Sequence, residues 1–328
     1  MRVLLITLGL CLAAPVLADS PETLTRHILP GYAAFADTTA ALAATAAQTC
    51  DPQALHPGFQ AAYDAWIGVQ HLRFGPVEAE GLGLAIQFWP DPKGSGAKAQ
   101  RALLLGDPAA LAGAGFADQS VAARGLSGLE RLLYPTGPFA ADIAATDPCP
   151  LIRATASDLA RMAAQVNADW IQGYGGLLLT AGDPGNTTFL TPAEVRQVLF
   201  TQVIASLEFL RDQRLARPLG SFDQPRPERA ESVASGRSLR NVQLSLAALR
   251  AMVETLTPDV PRTLAAFDHA TDLARALQDP VFADVATPQG RLRVEILQQA
   301  VTALRDTALA ELGPALAVGI GFNAADGD

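Results

Sequence analysis

The run Gly125-Leu126-Ser127-Gly128-Leu129-Glu130-Arg131-Leu132-Leu133-Tyr134 sets one carboxylate and one hydroxyl into a segment that is otherwise largely apolar. Ser127 and Glu130 are three residues apart and share a helix face, while Leu126, Leu129, Leu132 and Leu133 supply the stripe that buries that helix. A carboxylate at the edge of a buried stripe must find a cation or hydrogen-bond donors. Glu130 therefore reads in two ways: an ion pair with Arg73, Arg124 or an arginine of another helix, or an anchor for a ligand or metal.

The other candidates carry less chemistry. His71, in Trp66-Ile67-Gly68-Val69-Gln70-His71-Leu72-Arg73-Phe74-Gly75-Pro76, falls at a predicted helix end. It reads either as a capping residue or as an imidazole ligand or proton carrier. The four histidines, His27, His56, His71 and His269, are never at helical ligand spacing, so a site built from several of them requires tertiary contact. Glu208, Arg211 and Arg214 suit a solvated helix face. Trp66, Trp89 and Trp170 suit packing anchors, and Ser232, Ser235 and Ser238 suit caps at a helix start. The oxygens of Gly321 to Asp328 are too few for a calcium loop. No His-Glu-x-x-His, Walker loop, Gly-x-Ser-x-Gly elbow or Cys-x-x-Cys-His haem site is present, which removes the common hydrolase and cytochrome mechanisms.

Helices must position these groups. Val195, Leu199, Val203, Leu207 and Leu210 advance in steps of three and four, as do Leu239, Val242, Leu246, Leu249, Val253 and Leu256, and Leu297, Val301, Leu304 and Ala308. No alternating run bounded by turn residues suggests a sheet. Clusters of Pro, Gly and Asp punctuate the chain and predict helices at roughly 21–48, 52–73, 97–105, 119–134, 151–178, 191–215, 228–257, 260–278 and 289–312. The expected fold is all-α, with residues 19–148 and 149–328 forming two packed helical bundles.

The N-terminus, basic at Arg2 and then apolar to Ala18, reads as a signal peptide spanning residues 1–18. Acylation at Cys11 is disfavoured by the bulky Leu10. No later run has the length and apolarity of a membrane span, so no transmembrane segment is expected after cleavage. The chain carries 24 basic and 33 acidic residues, a net charge of -9, and losing Arg2 makes it one unit more negative. That balance argues against nucleic acid as a partner. Arginine far outnumbers lysine, which is confined to Lys93 and Lys98, and alanine is abundant. This suits a GC-rich bacterial genome and a periplasmic destination. Cys50 and Cys149 remain after cleavage, and an even pair in an oxidising compartment favours a structural disulfide.

Taken in order, Trp66 to Pro76, Phe88-Trp89-Pro90, Gly125 to Leu133, Arg217-Pro218-Leu219-Gly220, Glu231 to Leu239 and Gly319 to Asp328 resemble the imelysin family, also classed as peptidase family M75. The resemblance covers essentially the whole chain after the signal segment. It implies two helical bundles with a cleft between them, a bacterial envelope location and a link to iron-regulated genes and iron uptake. It also implies a Gly-x-His-x-x-Glu signature proposed to hold a metal. Gly125 and Glu130 match that signature, but Ser127 stands in place of the histidine, and a hydroxyl substitutes poorly for imidazole toward zinc or iron. Gln70 stands where many members carry a Glu. His71 compensates only if it turns toward Glu130, about 100° round a helix from Gln70.

The resulting expectation is a noncatalytic periplasmic protein that binds a metal-related ligand or a partner in iron acquisition. Glu130 is the main anchor and sole expected metal ligand, with Ser127, Gln70, His71, Arg73 and Gly125 around it. The cofactor expected is a divalent metal or iron. The rival readings are an M75-type metallopeptidase, and a pure interaction module that docks an iron-uptake or haem-protein partner in the envelope.

Overall fold

A computed structural model describes residues 20–319 apart from Ala112. The signal segment and the Gly321–Asp328 oxygens lie outside the described residues.

The longer helices are α1 (20–48), α2 (Pro52–Ile67), α3 (Ser95–Leu105), α4 (Gly125–Leu133), α5 (Gly137–Ala144), α6 (149–179), α7 (192–219), α8 (Ser238–Leu256), α9 (Pro261–Ala276) and α10 (Pro288–Ala315). Among the described residues no strand forms; a single bridge, Ser221 to Gln224, closes a turn. Proline opens α2, α7, α9 and α10 at a position where its missing N–H costs nothing. Side chains complete three of these starts: Asp51 accepts from the Gln53 N–H, Thr191 from Glu194 and Thr287 from Gly290.

The helices pack in two closed circuits. In the first, α1 touches α2 and α6, and α4 touches the same two; in the second, α7 touches α8 and α10, and α9 touches the same two. Helix α2 and the first turn of α1 join the circuits by packing on α8. Helix α6 follows Cys149 yet packs on α1 and α4, so a division at residue 148 separates it from the helices it rests on. The apolar stripes read from the sequence are the buried ones: Leu199, Val203, Leu207, Leu210, Leu246, Leu297, Val301 and Leu304 are fully covered. Each such side chain contributes about 1.5–3 kcal/mol of transfer free energy.

Three long helices each contain a π turn: Leu24–Ile28 in α1, Trp170–Tyr174 in α6 and Leu210–Leu215 in α7. Such turns insert an extra residue and re-aim the side chains around it. The first carries His27 and the third Arg214.

The largest departures from the periodicity lie beside the site. Helix α2 ends at Ile67, before His71. Helix α8 begins at Ser238, ten residues later than its predicted start, because residues 230–237 are held by side-chain contacts rather than by helical turns. Helix α4 begins only at Gly125, after a short 3-10 turn at Val121–Ala123. The Pro135–Pro138 cluster marks a boundary in the sequence, yet α5 starts within it, since Pro138 in the first turn is compatible with a helix. A disulfide joins Cys50, just past α1, to Cys149 at the start of α6, with Cα atoms 5.4 Å apart.

Candidate functional site

Glycine makes the local geometry of α4 possible. Gly125 has φ of +62°, and a Cβ there would lie 2.1 Å from the Ala85 carbonyl oxygen and 2.2 Å from that of Ile86. A Cβ on Gly128 would lie 2.3 Å from the Ala123 carbonyl oxygen. Both glycines let α4 press against neighbouring backbone, which places Gly125 in a packing role and leaves Ser127 and Glu130 to face open space.

That space is a hollow of about 830 Å³ whose lining includes Ser127, Glu130, Tyr134, Trp89, Arg217 and Ser232. Trp89 is half-buried, and the Arg217 guanidinium lies 5.6 Å from its ring centroid. The Ser127 hydroxyl makes no hydrogen bond to the described protein. Glu130 forms no ion pair with Arg73 or Arg124, since Arg124 is taken by Asp158 at 2.8 Å. Its carboxylate instead accepts from the Ser235 backbone N–H at 3.1 Å and from the Ser235 hydroxyl at 2.6 Å. Burial raises the Glu130 carboxyl above the ordinary range, the Ser235 bonds draw it back, and the charge of Glu231 adds to the rise. Neutral donors thus stand where the ion-pair reading placed an arginine.

Behind Ser235, in the same 230–237 segment, lies a polar centre that sequence reasoning missed. Glu231 is 1% exposed. It accepts from Arg214 Nε at 2.7 Å, Asn241 Nδ2 at 2.8 Å and Gln87 Nε2 at 2.7 Å. Gln87 in turn donates to the Tyr63 hydroxyl and accepts from Trp66 Nε1, each at 2.6 Å, and from Gln70. Gln70 closes the network by accepting from Arg214 Nη2. A carboxylate and a guanidinium this deep are tolerated because their hydrogen-bonding groups are so extensively engaged.

Three sequence readings change here. Arg214 is 3% exposed rather than part of a solvated face. Ser232 donates to the Tyr63 hydroxyl and Ser238 to the Glu231 carbonyl, so these serines, like Ser235, tie the loop down instead of capping α8. Trp66 and Trp170 are buried anchors, but Trp89 lines the hollow. A signal for Arg214 did exist: it lies four residues past Leu210, in phase with the apolar stripe of α7.

His71 is brought to neither Glu130 nor the end of α2. Its Nε2 meets Nε2 of His27 at 2.8 Å, so one ring donates and the other accepts. Burial lowers His27 to about 4, and it lowers His71 well below the ordinary histidine value, assisted by the neighbouring His27. His71 lines a second cavity, of about 320 Å³, with Gln70 and Arg73. The expected site residues are therefore divided: Ser127 and Glu130 face one hollow, Gln70, His71 and Arg73 the other, and Gly125 neither. A third hollow adjoins both, sharing Gln70 and Arg73 with one and Trp89 with the other.

Metal ligation is poorly served by these groups. Among the described residues no three His, Cys, Asp or Glu side chains gather as a metal site requires. Beside Ser127 and Glu130 no imidazole or thiolate is present, so the donor set does not fit a metal held by the protein alone.

The comparisons with known proteins agree with the architecture. Iron-regulated protein A of Synechococcus elongatus is 22% identical over 282 residues, covering 78% of this chain and 72% of the relative. The solved structure of an imelysin-like protein from Psychrobacter arcticum 273-4 superposes with a TM-score of 0.70 at 20% identity, over 94% of this chain and 100% of that one. A Parabacteroides distasonis protein described as an iron-regulated protein A precursor gives a TM-score of 0.67 at 13% identity, over 90% and 97%. The family model described as Imelysin, peptidase M75, matches residues 28–308, and the chain belongs to that family.

Proposed function

We propose that this is a noncatalytic imelysin-family protein of the bacterial periplasm that binds a metal-related ligand or partner in iron acquisition, in a cleft between its two helical bundles. The observation that carries the reading is Glu130, a carboxylate facing the 830 Å³ hollow beside Ser127, held by serine donors and without an ion pair among the described residues. Hydrolysis by a metal needs several protein ligands, an open position for water and a base. One carboxylate and one hydroxyl do not supply that set. A metal reaching this hollow brings most of its donors with it, and Glu130 offers one oxygen. The periplasmic assignment is supported by the signal-like residues 1–18, by the Cys50–Cys149 disulfide and by the lack of a membrane-length apolar helix among the described residues. The link to iron rests on the names of the relatives.

Elemental analysis and calorimetry with iron, zinc and copper ions test the reading on wild type, Glu130→Ala and Ser127→His. The expected result is no tight binding of bare ions by wild type and a gain in Ser127→His, where imidazole restores a nitrogen donor. Tight wild-type binding that vanishes in Glu130→Ala, together with peptide cleavage abolished by chelation, would replace this reading with a metallopeptidase.

A further inference from the structure

The second cavity contains more donors than the protein uses. Arg73 stands at its edge, exposed by area, with its guanidinium 4.7 Å from the centroid of Phe209. The Arg73 guanidinium makes no ion pair or hydrogen bond with the described residues. The carboxylates around it are engaged elsewhere or stand off: Glu231 takes Arg214 at 2.7 Å, Glu208 takes Arg305 at 2.7 Å, and Glu78 acts on Arg73 through space without forming an ion pair. The protein packed along the Arg73 side chain and the charge of Arg214 lower its guanidinium, Glu231 and Glu78 oppose this from a distance, and its exposed side is open to an anion that no contact within the fold supplies.

Helix α7 supplies the remaining donors. Gln202, Ser206 and Phe209 lie at i, i+4 and i+7, on one face that lines the cavity. The Gln202 side-chain oxygen is occupied by the Arg73 backbone N–H at 3.0 Å, which leaves its NH2 group free to donate. The Ser206 hydroxyl has no partner among the described residues. Ile67, Ala205, Phe209 and Leu249 form an apolar wall. A volume of about 320 Å³ falls at the small end of ligand cavities, which run from about 300 to 1,000 Å³.

We propose that this cavity binds a small organic acid with an apolar body, its carboxylate held by Arg73 with Gln202 and Ser206 as flanking donors, at a site separate from the Glu130 hollow. A planar guanidinium matches a carboxylate through two parallel hydrogen bonds, whereas the apolar wall has nothing to offer a tetrahedral inorganic anion. The test is calorimetry with benzoate, hexanoate and inorganic phosphate on wild type, Arg73→Gln, Ser206→Ala and Glu130→Ala, with thermal unfolding of each variant as a check on folding. Wild type is expected to bind benzoate or hexanoate. Arg73→Gln should weaken that binding by at least about tenfold, equivalent to 1.4 kcal/mol. Ser206→Ala should weaken it less, and Glu130→Ala should leave it unchanged. Absence of carboxylate binding by wild type, binding of phosphate alone, equal binding by Arg73→Gln, or loss in Glu130→Ala would each overturn the assignment. The Glu130 reading is tested by metal ions, so either proposal can fail without the other.

Discussion

The Nε2 atoms of His27 and His71 lie 2.8 Å apart, and between two imidazoles facing each other in this way only one proton fits. An unfolded histidine titrates near 6.5, while His27 is held at about 4 and His71 below its ordinary value. Between those limits the unfolded chain takes up protons that the folded chain refuses. The pair's contribution to stability is therefore complete above about pH 6.5 and declines as pH falls toward 4. The slope is about 1.4 kcal/mol per pH unit for each proton. Urea unfolding from pH 7 to 4.5 should show a shallower fall in the double variant His27→Gln, His71→Gln; parallel curves would remove the pair from the account.

Arg214 and Glu231 make the second prediction. Removing one partner strands a buried charge, so Arg214→Met should lower unfolding free energy by about 3–5 kcal/mol. Replacing both, Arg214→Met with Glu231→Leu, should recover much of that loss. A double variant as unstable as the sum of its two singles would mean that the network, rather than the charge pair, holds the loop.

Gly125→Ala should destabilise the protein without touching any ligand. The left-handed backbone alone costs about 1–3 kcal/mol for a side chain, and the new methyl also meets the Ala85 and Ile86 carbonyls. A lowered midpoint of thermal unfolding with unchanged ligand binding is expected, and a selective loss of binding would return Gly125 to the site.

Opening the Cys50–Cys149 bond lengthens the conformational reach of the unfolded chain. The bond joins residues 99 apart, and chain entropy puts such a closure at about 4.7 kcal/mol. The double substitution Cys50→Ala, Cys149→Ala should lose about 2–5 kcal/mol in urea unfolding.

Helix type and most helix spans were legible because a step of three or four between apolar residues is a local property. The helix carrying Ser127 and Glu130 was legible for the same reason, as was the helix face that those two residues share. What covers that face was not. Ser235 reaches Glu130 from a loop more than a hundred residues away, and that loop was hidden because its serines suit helix caps equally well. Arg214 shows a different limit. It continues an apolar stripe, but a charged residue there reads as an end to the stripe unless its partner, Glu231, is known. His27 and His71 meet only through the packing of α1 beside the segment that follows α2.

The Cys50–Cys149 bond also governs what a broken chain would look like. The only two lysines, Lys93 and Lys98, are both exposed and both fall between the half-cystines. A lysine-specific protease that cuts there leaves two large fragments still joined by sulfur. They run as one species without reductant and as two with it, with Ser127 and Glu130 on one fragment and Gln70, His71 and Arg73 on the other.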